Sequence, residues 1–156
     1  MKFSNNVIYD EESDTYYQRR RVDNQTIELG MNCTYYSKGE EVSWFNIYIT
    51  IFNKRKDMYD NMDKHTITGK NPFATFSKAR EMFYELEAHV LKEELLYRPK
   101  CDKVIFFCTW VDNRRRNAYY RVLSKMGYNW GLTPILKHKC IMKVYTKEDL
   151  NPEIEV

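Results

Sequence analysis

Residues 42–52, VSWFNIYITIF, form an uninterrupted strand-like run with no glycine or proline. This run limits the possible folds more than any other feature of the chain. Phe45, Ile47, Ile49 and Ile51 fall on one side of it, and Trp44, Asn46, Tyr48, Thr50 and Phe52 on the other. Period-two spacing of this kind marks a strand rather than a helix. Both sides are bulky, so the strand needs neighbours in its sheet and cover on at least one face. The first neighbour lies just upstream. Residues 26–36, TIELGMNCTYY, read as a strand with Gly30 as the site of a bulge. Only SKGEE separates the two runs, so they should form an antiparallel hairpin. Residues 3–9 and 16–22 are candidate strands around an acidic turn, Asp10 to Asp14.

Downstream the period changes. Residues 53–70 are polar and read as a loop. Asn71 suits a helix cap and Pro72 the first helical position. Phe76, Ala79, Phe83, Leu86 and Val90 then recur at spacings of three and four, an apolar stripe that fades after Leu96. KVIFFCTW, 103–110, is a continuous apolar strand of the kind buried mid-sheet. A second helix follows. Asp112 or Asn113 can cap it, Ala118, Val122 and Met126 form its apolar line, and Gly127 closes it. CIMKVYT, 140–146, is a last strand, and a polar tail covers 147–156. Strand, helix and strand joined in this order require a right-handed crossover, so 42–52 and 103–110 should be parallel neighbours. The fold class is α/β or α+β, with a mixed, mostly antiparallel sheet and two main helices. At 156 residues the chain is one domain, with its core at roughly 26–146.

Composition excludes several functions. A net charge of +3 is too small to argue for nucleic acid from bulk charge. MKFSNNVIYDEE has no apolar signal core, and the run Val104 to Val111 is too short to cross a bilayer. Cys33, Cys101, Cys108 and Cys140 form no C-x-x-C pair and read as buried thiols, not as a metal site or disulfide framework. Five glycines cannot supply a Gly-rich nucleotide loop. His89 reads as structural, and His65 and His138 as exposed.

One local feature runs against ordinary helix design. Arg114, Arg115 and Arg116 occupy the first turn of the second helix, where the helix dipole disfavours cations. The cluster is either an anion site or a solvated charge run tied to Asp112 or to the stretch Asp10–Asp14. Successive helical residues point about 100° apart, so the three cannot share one ligand. Arg116, one turn before Tyr120, is the best placed. Tyr119 and Tyr120 read as packing residues at the core edge. Two further basic tracts, Arg19–Arg21 beside Tyr16 and Tyr17, and Lys54–Lys56, suit either a single-stranded nucleic acid or a charge-protected strand edge.

The element order, with TFSKAREMF at 75–83, VIFFCTW at 104–110, Arg116 four residues before Tyr120, and the closing KMGY at 125–128, resembles the GNAT acyltransferases. More narrowly, the stretch from Phe76 to Lys125 resembles small bacteriophage-encoded GNAT-like proteins, and the resemblance as a whole covers about the last two thirds of the chain. The resemblance implies acetyl-CoA as cofactor. Its pyrophosphate would lie on TGKNPFAT, 68–75, with Gly69, Lys70, Asn71, Ala74, Thr75 and Arg116 as binding residues and Tyr120 as acid for the leaving thiol. Departures are plain. The loop has one glycine and a proline, the family's usual acid position is Leu123, and the face Trp44, Asn46, Tyr48, Thr50 holds no carboxylate base. Only a water on Asn46 or Thr50 would relay a proton.

Two functions follow from the resemblance. The first is a degenerate, non-catalytic scaffold in a virion or on a host factor. The alternative is acetyl-CoA-dependent N-acyl transfer to an amine. The departures favour the scaffold, and the anion-friendly helix ends favour the enzyme. The resemblance further implies a host-cytoplasmic or virion-associated protein with a protein partner or a second copy of itself. Nucleic acid is a weaker alternative partner, and a membrane is not expected.

Overall fold

The computed structural model describes residues 7–22, 25–37, 39–52, 72–97, 101–110 and 113–150. Four strands come first: β1 (Ile8–Asp10), β2 (Thr15–Val22), β3 (Gln25–Ser37) and β4 (Val42–Phe52). Helix α1 (Pro72–Leu91) runs on into a π-helical turn (Lys92–Tyr97). Then follow β5 (Lys103–Cys108), α2 (Asn113–Leu123) with a 3-10 turn (Ser124–Met126), β6 (Asn129–Leu132), β7 (Lys139–Thr146) and a short α3 (Lys147–Leu150). The strands form one mixed sheet in the order β1-β2-β3-β4-β5-β7-β6. Every neighbouring pair is antiparallel except β4 and β5, which are parallel. The fold is α+β, with the expected hairpin and the expected parallel pair.

The parallel pair is short. It runs from Val42 opposite Lys103 to Asn46 opposite Phe107. Beyond that point β4 continues to Phe52 paired only with β3, while β5 stays paired with β7 through Cys108. The two co-directional strands therefore part at Asn46 and Phe107.

Both main helices cover one face of the sheet. Ile27, Met31, Phe45, Ile47, Ile51, Val104, Phe106 and Ile141 from the strands share a buried cluster with Met82, Phe83, Leu86 and Val90 of α1. Leu123 and Met126 at the end of α2 belong to the same cluster. Each such side chain contributes roughly 1.5–3 kcal/mol by leaving water. Tyr16 of β2 bonds Glu94 while Arg20, further along β2, bonds Glu81, so α1 runs opposite to β2 and β4. Its first turn thus lies at the end of the sheet toward which β4 and β5 run.

The helical face also buries carboxylates, which the apolar stripe did not predict. Tyr16 donates to Glu94 at 2.7 Å, Gln18 to Glu85 at 3.1 Å, and Tyr128 to Glu87 at 2.7 Å. Arg20 completes the set by pairing with both Glu85 and Glu81. Buried ions persist only where such partners exist. Glu87 holds its proton more tightly than an ordinary carboxyl. Burial holds its carboxyl above the ordinary range, opposed by hydrogen bonds from Tyr128 and Tyr145 and by the charge of Lys143. The native state then holds this proton more tightly than the unfolded chain. Its contribution is fully present below the unfolded carboxyl value, about 4.3, and is lost as pH rises through the raised native value. Glu87→Gln keeps an acceptor for Tyr128 but cannot ionise. Its midpoint should exceed the parent's near neutral pH and fall less between acid and neutral. Two superimposable pH profiles in thermal melts would contradict this.

Several expectations shift. Gly30 is not a bulge. It sits in register with Tyr48, and the irregularity in β3 lies between Cys33 and Tyr35. The strand expected over 103–110 ends at Cys108, because β7 supplies no partner beyond Ile141. Met126 of the predicted apolar line is buried, as is Leu123 beside it, while Val122 is half-buried. The helix tightens to 3-10 geometry at Ser124 and, as expected, closes at Gly127 (φ 91°). The polar tail begins with α3, where Asp149 accepts from the Thr146 backbone N–H at 2.8 Å. Strand β6 was not foreseen.

The expected loop at 53–70, with Lys54–Lys56 and His65, lies outside the described residues, as do Asn71, Asp112 and the final residues 151–156. His89 packs edge-on against Tyr16, as a structural residue would. His138 is exposed. Cys101, Cys108 and Cys140 are buried free thiols, and Cys33 is half-buried. Burial pushes Cys108 up to about 12 and Cys140 to about 11, so neither is a ready nucleophile.

Candidate functional site

Two places on the molecule bring together residues with chemical potential. The first is the parting of β4 and β5. Asn46 stands at its lip, and its Oδ1 is buried with no hydrogen-bond partner among the described residues. A carboxylate on the same sheet face is Glu28, opposite Thr50 on β3. Sequence reasoning missed it by looking for an acid on β4 itself. Glu28 is not at liberty, however. It accepts from Arg19 Nε at 2.6 Å and from the Tyr48 hydroxyl at 2.8 Å. Burial, then the charge of Glu28 and the hydrogen bond to it, push the Tyr48 hydroxyl well above its ordinary range, with Arg19 acting in the opposite direction.

The second place is the far edge of the sheet, where α2 meets β6. There Trp110 and Trp130 meet at 82° with ring centroids 5.7 Å apart. Tyr120 lies flat on Trp130, 4.7 Å between centroids and 9° between planes. An open cavity of about 470 Å³ is lined by Trp110, Arg116, Trp130, Gly131, Leu132 and Lys139. Arg116 is half-buried in the first turn of α2, and its Nε and Nη2 donate to Asn117 Oδ1 at 3.3 and 3.2 Å. Among the described residues no ion pair joins it to the stretch Asp10–Asp14, and Asp112 lies outside them. Within that stretch Asp14 accepts from Tyr9 and Asp10 from the Glu12 N–H.

The predicted site residues are thus dispersed. Arg116 and Tyr120 come together at the β6 edge, with Trp130 as the partner the sequence reading did not find. Its only signal was a tryptophan beside a glycine in NWGL, a run too short to show alternation. Gly69, Lys70 and Asn71 lie outside the described residues. Ala74 and Thr75 fall in the first turns of α1, and their side chains are not described. Tyr119 packs against the core as expected.

Two of the three arginines in the basic tract on β2 are paired with carboxylates. Arg19 pairs with Glu28 and Arg20 with Glu81 and Glu85, while Arg21 bonds Thr26. No helix among the described residues is long and apolar enough to cross a membrane, and none of them cluster as metal ligands.

As a test of fit, an acyl-CoA site would need the thiol acid beside the gap between β4 and β5. Trp130 stands on β6, separated from β5 by β7 and so about 10 Å away at ordinary strand spacing. Tyr120 is stacked on that ring.

No family model matches the chain, and no curated protein matches it. Among solved structures, the chain is similar to the N-terminal domain of a ribosomal-protein-alanine acetyltransferase from Clostridium acetobutylicum. That likeness covers 93% of this chain and 98% of the other, at 9% identity and a TM-score of 0.39.

Proposed function

We propose that this chain is a GNAT-like protein without acyltransferase chemistry, a scaffold that holds a host factor or a virion component. The strand order and the short parallel β4–β5 pair support the GNAT-like part of the reading. One observation carries the non-catalytic part: Tyr120 is stacked on Trp130 at the β6 edge, not poised at the β4–β5 gap. A general acid must reach its leaving group within about 3.2 Å. Glu28 supports the same reading, since the base it would supply is already bound to Arg19 and Tyr48. The bacteriophage setting rests on the sequence resemblance alone.

A thermal-shift titration with millimolar acetyl-CoA tests this. The midpoint should stay where it is, and amine acceptors should release no free thiol. Ligand at a hundred times its Kd would raise the midpoint by about 5 °C or more. A rise of that size, with thiol release that Tyr120→Phe abolishes, would establish acetyl-CoA-dependent N-acyl transfer instead. The specific observation on that side is Asn46 Oδ1, an unpartnered acceptor at the point where the strands separate.

A further inference from the structure

We propose that the corner formed by Trp110, Trp130 and Arg116 at the β6 edge binds single-stranded nucleic acid. A base would stack in the aromatic corner while Arg116 and Lys139 take the adjoining phosphate. This goes beyond the scaffold reading and does not depend on it, because the corner lies at β6 and not at the β4–β5 gap.

Charge is the first argument. Residues 113–147 hold nine Lys and Arg and no Asp or Glu, while the whole chain is only +3. The rest of the chain is therefore net acidic, and the positive charge is concentrated in α2, in β7 and in the segments that flank β6. Such asymmetry is the electrostatic footprint of a polyanion partner, and a bulk count hides it.

Pairing is the second argument. Three cations elsewhere have carboxylate partners: Arg19 with Glu28, Arg20 with Glu81 and Glu85, and Lys78 with Glu81. Neither Arg116 nor Lys139 has a carboxylate partner among the described residues, and both line the cavity. Arg116 spends two donors on the Asn117 amide, a neutral group that orients the guanidinium without offsetting its charge.

Aromatic geometry is the third argument. Trp130 is 53% exposed although it is the largest side-chain type, and Tyr120 braces it from one side. Trp110 stands perpendicular to it. Two indoles at a right angle offer a flat ring one face to stack on and one wall to abut. Every base has such a face, so aromatic platforms beside basic side chains bind single strands with little sequence preference. A duplex keeps its bases stacked inside and cannot use the corner.

The test uses the full chain carrying Trp44→Phe, so that all indole emission comes from Trp110 and Trp130. The titrants are a ten-nucleotide oligothymidylate, adenosine monophosphate and heparin. The oligonucleotide should quench emission and bind at least tenfold more tightly than the mononucleotide. Trp130→Ala should weaken it by roughly 10- to 100-fold, the range for loss of one stacked base. Arg116→Gln should lower the slope of log affinity against log salt by about 0.7, one phosphate contact. Circular dichroism of each variant confirms that it is folded. The proposal is overturned by absent quenching, by equal affinity for the mononucleotide, or by an oligonucleotide affinity that Trp130→Ala leaves intact. Heparin binding that Trp130→Ala weakens as much as the oligonucleotide's would overturn it too.

Discussion

Arg20→Met is expected to lower the unfolding free energy by about 3–5 kcal/mol, measured by denaturant melts at neutral pH. The reason is what the substitution leaves behind. Glu85 is only 4% exposed, and Arg20 is its sole cationic partner among the described residues. Gln18 still donates one bond, but an amide does not offset a buried charge. The outer arm of the same arginine, to Glu81, counts for little, since Glu81 is 49% exposed and also bound to Lys78. Arg20→Met combined with Glu85→Gln should recover most of the loss. The glutamine keeps an acceptor for Gln18 and carries no charge. A loss of under about 1 kcal/mol in the single variant would place the pair in the regime of solvated surface bridges. The buried network between β2 and α1 would then be ornamental.

That network shows why part of this fold was hidden from its sequence. The β3–β4 hairpin, the α1 stripe and the parallel pairing of β4 with β5 were legible because each depends on local periodicity or on chain handedness. The inward turn of Glu85, Glu87 and Glu94 was not. Their partners Gln18, Arg20 and Tyr16 lie 65 to 78 residues away on β2, and Tyr128 lies 41 residues on. No window of sequence contains both ends of such a bond, so a helical glutamate reads as solvent-facing.

The β6 edge was illegible for a related reason. Arg116 could be picked out as the odd cation of a helix start, but its setting depends on Trp130, which a four-residue strand carries to it across the sheet. The three arginines at that helix end thus have a partial answer. Arg116 faces a cavity lined by indoles and not a carboxylate. The dipole penalty is a few tenths of a kcal/mol or more, and the phosphate contact proposed for Arg116 would offset it.

Gly30→Ala is the second large effect, with an expected loss of about 1–3 kcal/mol. The backbone at Gly30 is ordinary strand, so the cost is not conformational. Gly30 pairs with Tyr48, whose ring lies across it, and an added Cβ would run into the outer ring atoms and the hydroxyl. A loose tyrosine would swing aside at little cost. Here the hydroxyl is tied to Glu28 at 2.8 Å, and Glu28 is tied to Arg19 at 2.6 Å, so moving the ring disturbs three residues on three strands. Two companions separate ring from hydroxyl. Tyr48→Phe frees the ring end without removing it, so Gly30→Ala should cost less there but remain unfavourable. Tyr48→Ala removes the ring altogether. In that background Gly30→Ala should become neutral or stabilising by up to about 1 kcal/mol, the ordinary advantage of alanine over glycine in a strand. The coupling energy between the two sites should therefore reach about 1–3 kcal/mol, as for residues in direct contact. Strictly additive losses would mean that the ring does not rest on Gly30. The glycine in the middle of the longest strand would then need another cause.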